Sequence, residues 1–250
     1  MRYIRPRTCR GFTLVELAMV LMIIGLLLGG LIVPLSAQME QRRATETLKS
    51  LEEIKEALTG YAVINGQLPC PADPAIATGS AGAGVARTPP CTGADSTGVV
   101  PWATLGTSEI DGWGNRFTYR VSSDFADSLG STFGKDKDGN NCVPVPTPLQ
   151  SSFALCSVGT LNVLATSGGT NIAIQVPAVL ISHGKNSAGA YTQAGSQIAA
   201  SGNADEAENS DGDANSNYVS HTATPAFDDL VIWVSNSILL NRMVTAGKLP

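Results

Sequence analysis

Histidine is scarce in this 250-residue chain, and the shortage removes much catalytic chemistry. Only His183 and His221 occur, too few for a His-rich metal centre. Ser182-His183-Gly184 sets a hydroxyl beside an imidazole, but no Gly-x-Ser-x-Gly elbow accompanies it. No glycine-rich stretch ends in the Gly-Lys-Ser/Thr of a phosphate loop. Close Cys-x-x-Cys pairs are missing, which disfavours structural zinc. Charge is also sparse: 21 acidic and 16 basic residues give a net charge of −5. A basic, phosphate-binding surface has no support, and no nucleic acid partner is expected. The chain reads as no enzyme, and no internal repeat is visible.

What the chain does have is concentrated at its amino terminus. Arg2, Arg5, Arg7 and Arg10 lead into Gly11, and Phe12 to Val33 is almost wholly apolar, with Glu16 its single charge. As a helix rising ~1.5 Å per residue, that run reaches about 33 Å, enough for a hydrocarbon core of ~30 Å. The basic leader is expected to stay cytoplasmic, placing the carboxy-terminal domain outside the inner membrane. A secretory signal would end in a small-residue cleavage site after its apolar core. Here the small residue, Gly11, comes first, and Leu31-Ile32-Val33-Pro34-Leu35 offers no clean site. A lipoprotein cysteine would also come after the run, whereas Cys9 precedes it. An acid at mid-bilayer costs on the order of a few kcal/mol, so Glu16 should have a partner.

Gly11-Phe12-Thr13-Leu14-Val15-Glu16 resembles the prepilin cleavage and methylation motif of type IV pilins and type II secretion pseudopilins, in register over roughly positions 10–35. The resemblance implies cleavage between Gly11 and Phe12 by a prepilin peptidase, and methylation of the new amine on Phe12. It makes Glu16 the assembly residue and puts Pro34 where such helices often carry a proline. It also implies other pilin or pseudopilin subunits and an inner-membrane assembly platform as partners, alongside membrane lipid. The physics agrees: a terminal amine is mostly protonated at neutral pH, and a neighbour's Glu16 could pair with it inside an apolar bundle.

Beyond the membrane-length run, Leu48, Leu51, Ile54, Leu58 and Tyr61 recur at helical steps, so one helix is expected from about Phe12 to Val63, kinked at Pro34 and stopped by Asn65-Gly66. Cys70 to Gly98 reads as a long loop. Asp111-Gly112-Trp113-Gly114-Asn115 is a turn feeding a strand over 116–121. This turn and strand resemble a segment of major pseudopilins, and Leu68-Pro69-Cys70-Pro71-Ala72-Asp73 is similar to large pilin-like proteins. Further strands are expected over 161–166, 172–182 (interrupted at Pro177) and 229–235, with a closing helix over 237–246. The class is α+β, pilin-like: a long amino-terminal helix, transmembrane in its first half, packed on a carboxy-terminal antiparallel sheet domain. The expected division is 1–11 leader, 12–34 transmembrane helix, 35–66 amphipathic continuation and 67–250 globular domain.

Of the cysteines beyond the run, Cys70, Cys91, Cys142 and Cys156 suit two disulfides if the region is exported. Four cysteines allow three connectivities. Cys70–Cys91 and Cys142–Cys156 are favoured because each closes a short local loop. The acidic stretch 194–217 reads as a solvated loop. Within it Asp211, Asp213 and Asn215 stand at alternate positions, as oxygen ligands do in calcium loops, so calcium is the one cofactor the sequence suggests. Asp136 to Asn140 repeats the pattern more weakly. The string 227–235 and the helix after it read as a buried edge strand with a capping helix, the alternative being a subunit contact in which Asp228 and Asp229 face Arg242 or a neighbour. Functionally, the leading expectation is a minor pilin or pseudopilin of a type II secretion pseudopilus or type IV pilus. The alternatives are a non-polymerising, membrane-anchored periplasmic binding module and an anchored hydrolase.

Overall fold

The computed structural model describes residues 11–129, 134–143, 150–212 and 215–249, with side chains undescribed over 28–35. The leader arginines, Cys9 and Asp213 lie outside the described residues. The chain forms two compact units, Met1–Arg42 and Arg43–Pro250.

Helix α1 runs Leu14–Asn65, two residues later at each end than the apolar pattern suggested. Gly66 at φ 75° closes it, its N–H donating to Ala62 O at 2.8 Å, the usual use of a left-handed glycine after a helix. In the first unit every described side chain from Phe12 to Leu27 is exposed. Among the described residues no helix is long and apolar enough to cross a membrane; the expected span includes positions 28–34, Pro34 among them, whose side chains are not described.

In the second unit, α1 buries Thr47, Leu51, Ile54, Leu58 and Ala62. This stripe is rotated from the expected one: Leu48 is 42% exposed and Tyr61 half-buried. Leu51, Ile54, Leu58 and Ala62 pack with Phe117, Tyr119, Val121, Ala178, Leu180 and Val234. These come from a four-stranded antiparallel sheet in the order β1-β2-β5-β7, built from β1 (Thr97–Val99), β2 (Thr118–Val121), β5 (Ala178–Ser182) and β7 (Leu230–Val234), with Phe117 just ahead of β2. Truncating one fully buried leucine of this core, such as Leu58, costs about 2–5 kcal/mol.

The other face of the sheet is covered too. Val179, Ile181 and Val231 pack with Leu161, Val163, Val176 and Tyr218. The latter come from a second sheet in the order β4-β3-β6, formed by β3 (Leu161–Leu164), β4 (Asn171–Val176) and β6 (Asn217–Val219). There β3 pairs antiparallel with β4 and parallel with β6. Covering on both faces explains why Ala178-Val179-Leu180-Ile181-Ser182 is buried at every position. The expected strand 172–182 is therefore two strands in two sheets, divided at Pro177. Among the described residues three short α-helices, α2 (Trp102–Leu105), α3 (Ala204–Ser210) and α4 (Asn236–Thr245), and two 3-10 turns complete the unit. The result is α+β, an amino-terminal helix followed by an antiparallel sheet domain, with β1, β6, α2 and α3 added to the elements the pattern indicates.

Two disulfides join Cys70 to Cys91 and Cys142 to Cys156, with Cα separations of 5.7 and 6.0 Å. Cys70 and Cys91 are both within the main core. Their bridge closes a loop of 21 residues, worth about 3 kcal/mol through the unfolded chain. Replacing both by serine is expected to lower the urea midpoint accordingly; an unchanged midpoint would mean the bridge carries no stability.

The turn before β2 shows why its residues are what they are. Asp111 Oδ1 accepts from Trp113 N at 2.9 Å and Asn115 N at 3.0 Å. Its Oδ2 accepts from the Ser182 hydroxyl at 2.6 Å, fastening the turn to β5. Gly112 N donates to Thr47 Oγ1 at 2.9 Å, and a Cβ at Gly112 would collide with the carbonyl oxygen of Arg43. Only glycine lets this turn lie so close to the helix.

Candidate functional site

Gly11 is exposed, and among the described residues a Cβ there would meet no atom within 4 Å. Phe12 is the next residue, 80% exposed.

Thr13 is the residue before α1, and Glu16 lies three positions on. The Thr13 amide and hydroxyl donate to Glu16 Oε2 at 2.9 and 2.8 Å, and Glu16 N donates to Thr13 Oγ1 at 3.2 Å. This reciprocal arrangement is a capping box, which satisfies amide groups at the start of a helix. Sequence reasoning singles out Glu16 for its charge and misses this local partner, although Thr-x-x-Glu ahead of an apolar run is its signature. Within one chain Glu16 fixes where α1 begins, and both of its bonds use Oε2.

Apart from Glu16, the helix start is apolar on every side. Leu14, Val15, Leu17, Met19, Val20, Leu21, Met22, Ile23, Ile24, Leu26 and Leu27 are each 45–87% exposed. A surface that is apolar all round belongs in lipid or among other helices, since water penalises it at roughly 25 cal/mol per Å².

The acidic stretch differs from its expected form. It is not a plain solvated loop: Asn203 accepts from Asp205 N at 2.8 Å and Glu206 N at 3.3 Å and starts α3. The signal is present, an asparagine followed by acids in a first turn, but the surrounding glycines and charges outweigh it. Glu206 and Asn209 are buried. Asp211 caps the end of α3. Asn215 donates from Nδ2 to Glu208 Oε1 at 2.7 Å and accepts from Asn217 N at 2.9 Å, while Asp213 lies outside the described residues. Asp136 accepts from Asp138 N and Asn140 N, both at 2.9 Å, and backbone hydrogen bonds hold its carboxyl below the usual range.

Asp228 and Asp229 do not meet Arg242. Arg242 lies 3.5 Å from Glu56 on α1, while Asp228 accepts from Asn186 N and Asp229 from Asn209 Nδ2. Phe227 and Asp229, just ahead of β7, are buried, which sequence spacing does not reveal. The two histidines are likewise occupied. His183 is buried with Nε2 3.0 Å from Thr118 Oγ1, and the adjacent Ser182 hydroxyl points to Asp111 instead. His221 stacks on Phe227 and lies 3.2 Å from Asp205.

Comparison with known families adds one finding. Residues 6–32 match the model of the prokaryotic N-terminal methylation motif, the prepilin-type cleavage and methylation signal of type IV pilins and pseudopilins. The matched segment contains Gly11, Phe12, Thr13 and Glu16. Proteins with this signal are structural and generally non-enzymatic, are processed by prepilin peptidase and assemble with other pilin subunits. No curated protein and no solved structure matches the chain.

Proposed function

We propose that this chain is a minor pilin or pseudopilin of a type II secretion pseudopilus or a type IV pilus. Prepilin peptidase cuts between Gly11 and Phe12 and methylates Phe12. The helix from Phe12 to about Pro34 holds the chain in the inner membrane, and the globular unit faces the periplasm. During assembly the same apolar helix leaves lipid for a bundle of like helices. There the Phe12 amine of one subunit lands on Glu16 of the next, on the side of Oε1, so that neither charge stays buried alone. The large ectodomain and its long loops favour a minor subunit over the major one. The observation that carries this reading is the register of a matched methylation signal on an exposed, all-round apolar helix start.

The test is the mass of the mature amino terminus. The amino-terminal peptide of chain isolated from cells is expected to begin at Phe12 and to weigh one methyl group more than its sequence. A peptide that begins at Met1, with an unmodified Phe12 inside the chain, would overturn the proposal.

A further inference from the structure

Thr118, His183 and Asp229 come from three neighbouring strands. Thr118 opens β2 and pairs with Ile181, His183 follows the last residue of β5, and Asp229 stands just ahead of β7. All three are buried, at 6%, 1% and 3% exposure. His183 Nε2 is 3.0 Å from Thr118 Oγ1, and Nδ1 is 3.7 Å from Asp229 Oδ1. The order is hydroxyl, imidazole, carboxylate. The hydroxyl comes from Thr118 on another strand and not from Ser182, the neighbour in sequence.

The surrounding polar atoms fix the tautomer. His183 Nδ1 and Asp229 Oδ1 are both buried without a hydrogen-bond partner. With its proton on Nδ1, the ring turns an N–H toward the carboxylate and leaves Nε2 bare to accept the Thr118 hydroxyl. The opposite tautomer would set a buried lone pair against a buried carboxylate, with nothing to offset the cost. Asp229 is itself held, its Oδ2 accepting from Asn209 Nδ2 at 2.8 Å. One carboxylate oxygen from each of Glu206, Asp228 and Asp229 lies within 4.8 Å of the others, so negative charge gathers on the Nδ1 side of the ring. A base that receives a hydroxyl proton, steadied by a carboxylate behind it, is what nucleophilic catalysis requires, and such contacts are commonly looser before substrate binds.

The hydroxyl and the ring are not sealed in. Thr118 and His183 line one cavity with Thr97, Tyr191, Gln197 and Tyr218, and it is open on one side. Its volume of about 20 Å³ exceeds the ~10–15 Å³ that one water occupies. Only a small acyl group enters, while a larger alcohol portion stays outside. Tyr191 is half-buried, and burial pushes its phenol up, so the hydroxyl keeps its proton and can donate to an oxygen that gains charge.

We propose that Thr118 and His183 hydrolyse esters of small carboxylic acids, with Asp229 positioning the ring. Nε2 takes the Thr118 proton while Oγ1 bonds to the acyl carbon. The ester C–O bond then breaks, and Nε2 returns the proton to the departing alcohol. Water, deprotonated by the same nitrogen, attacks the acyl-threonine. The bond from Oγ1 to the acyl carbon breaks, the acid leaves, and Thr118 regains its proton. The inference does not depend on filament assembly.

The test is hydrolysis of p-nitrophenyl acetate by the full chain in detergent, with mass spectrometry of the quenched protein. Turnover with an initial burst and one acetyl group on Thr118 are expected. Thr118→Val, which keeps the shape, should lower kcat/KM at least about a hundredfold, as should His183→Gln, and Tyr191→Phe at least about tenfold. Thr118→Ser keeps a hydroxyl and should stay active, and His221→Gln should react as the unaltered chain does. If His183→Gln fails to fold, the Thr118 variants and the position of the acetyl group decide. Hydrolysis no faster than that of free imidazole at equal concentration, an unchanged rate in Thr118→Val, or acetylation confined to residues other than Thr118 would each overturn the proposal.

Discussion

Glu16→Ala is expected to cut incorporation of this chain into a filament by about a hundredfold or more while leaving its membrane insertion intact. The substitution leaves the amine of a neighbouring Phe12 unpaired in an apolar bundle. An uncompensated buried charge costs about 3–5 kcal/mol, and each ~1.4 kcal/mol is a factor of ten. The capping box complicates a bare alanine result, because Glu16 also receives two bonds from Thr13. Two further variants separate the roles. Glu16→Gln can keep the box, since glutamine serves at that position, but it carries no charge. Thr13→Ala loses about 1 kcal/mol of cap and keeps the carboxylate. Sheared filaments and membrane fractions, blotted for the chain, should therefore show Glu16→Gln absent from filaments and Thr13→Ala present. Normal incorporation of Glu16→Gln would end the ion-pair account and leave Glu16 as a helix cap.

The second large effect is on folding. Arg116 is wholly buried, and four of its hydrogen bonds reach separate parts of the chain. Nε donates to Glu109 Oε1 at 3.0 Å, Nη1 to Pro74 O at 2.9 Å, and Nη2 to Thr78 Oγ1 at 3.1 Å and Gln193 O at 3.2 Å. The guanidinium also lies 4.8 Å from the centre of the Trp102 ring. Arg116→Met takes the cation from beside Glu109, which keeps only the Thr78 hydroxyl, and removes the side-chain donor to Pro74 O, so a loss of about 3–5 kcal/mol is expected, or roughly 10 °C in Tm for a unit of this size. Arg116→Lys retains the charge without the planar fork and should fall between. Melts followed by tryptophan fluorescence measure both; a loss under about 1 kcal/mol in Arg116→Met would show that these segments are held by other contacts.

Arg116 also shows where sequence reasoning stops. Its place at the head of a period-two segment is legible, and that segment forms β2. Its burial is not, because the residues that satisfy it are as far away as Gln193. The amino-terminal site is the opposite case. Gly11, Phe12, Thr13 and Glu16 lie within six positions, so their chemistry, including the overlooked capping box, is written in local spacing. The acid cluster of Glu206, Asp228 and Asp229 cannot be read this way. Local spacing makes Glu206 loop surface and puts the two aspartates at an edge strand far along the chain, while the fold brings one carboxylate oxygen of each of the three within 4.8 Å of the others.

By itself the sequence determined the long helix, its apolar first half, the stop at Asn65-Gly66 and the α+β class, since each depends on contacts only a few residues apart. Tertiary structure alone decided that Pro177 divides two sheets, that β3 and β6 run parallel, and that three carboxylates share one buried corner. Those outcomes depend on which surfaces meet across long stretches of chain, where burial free energy outweighs local preference.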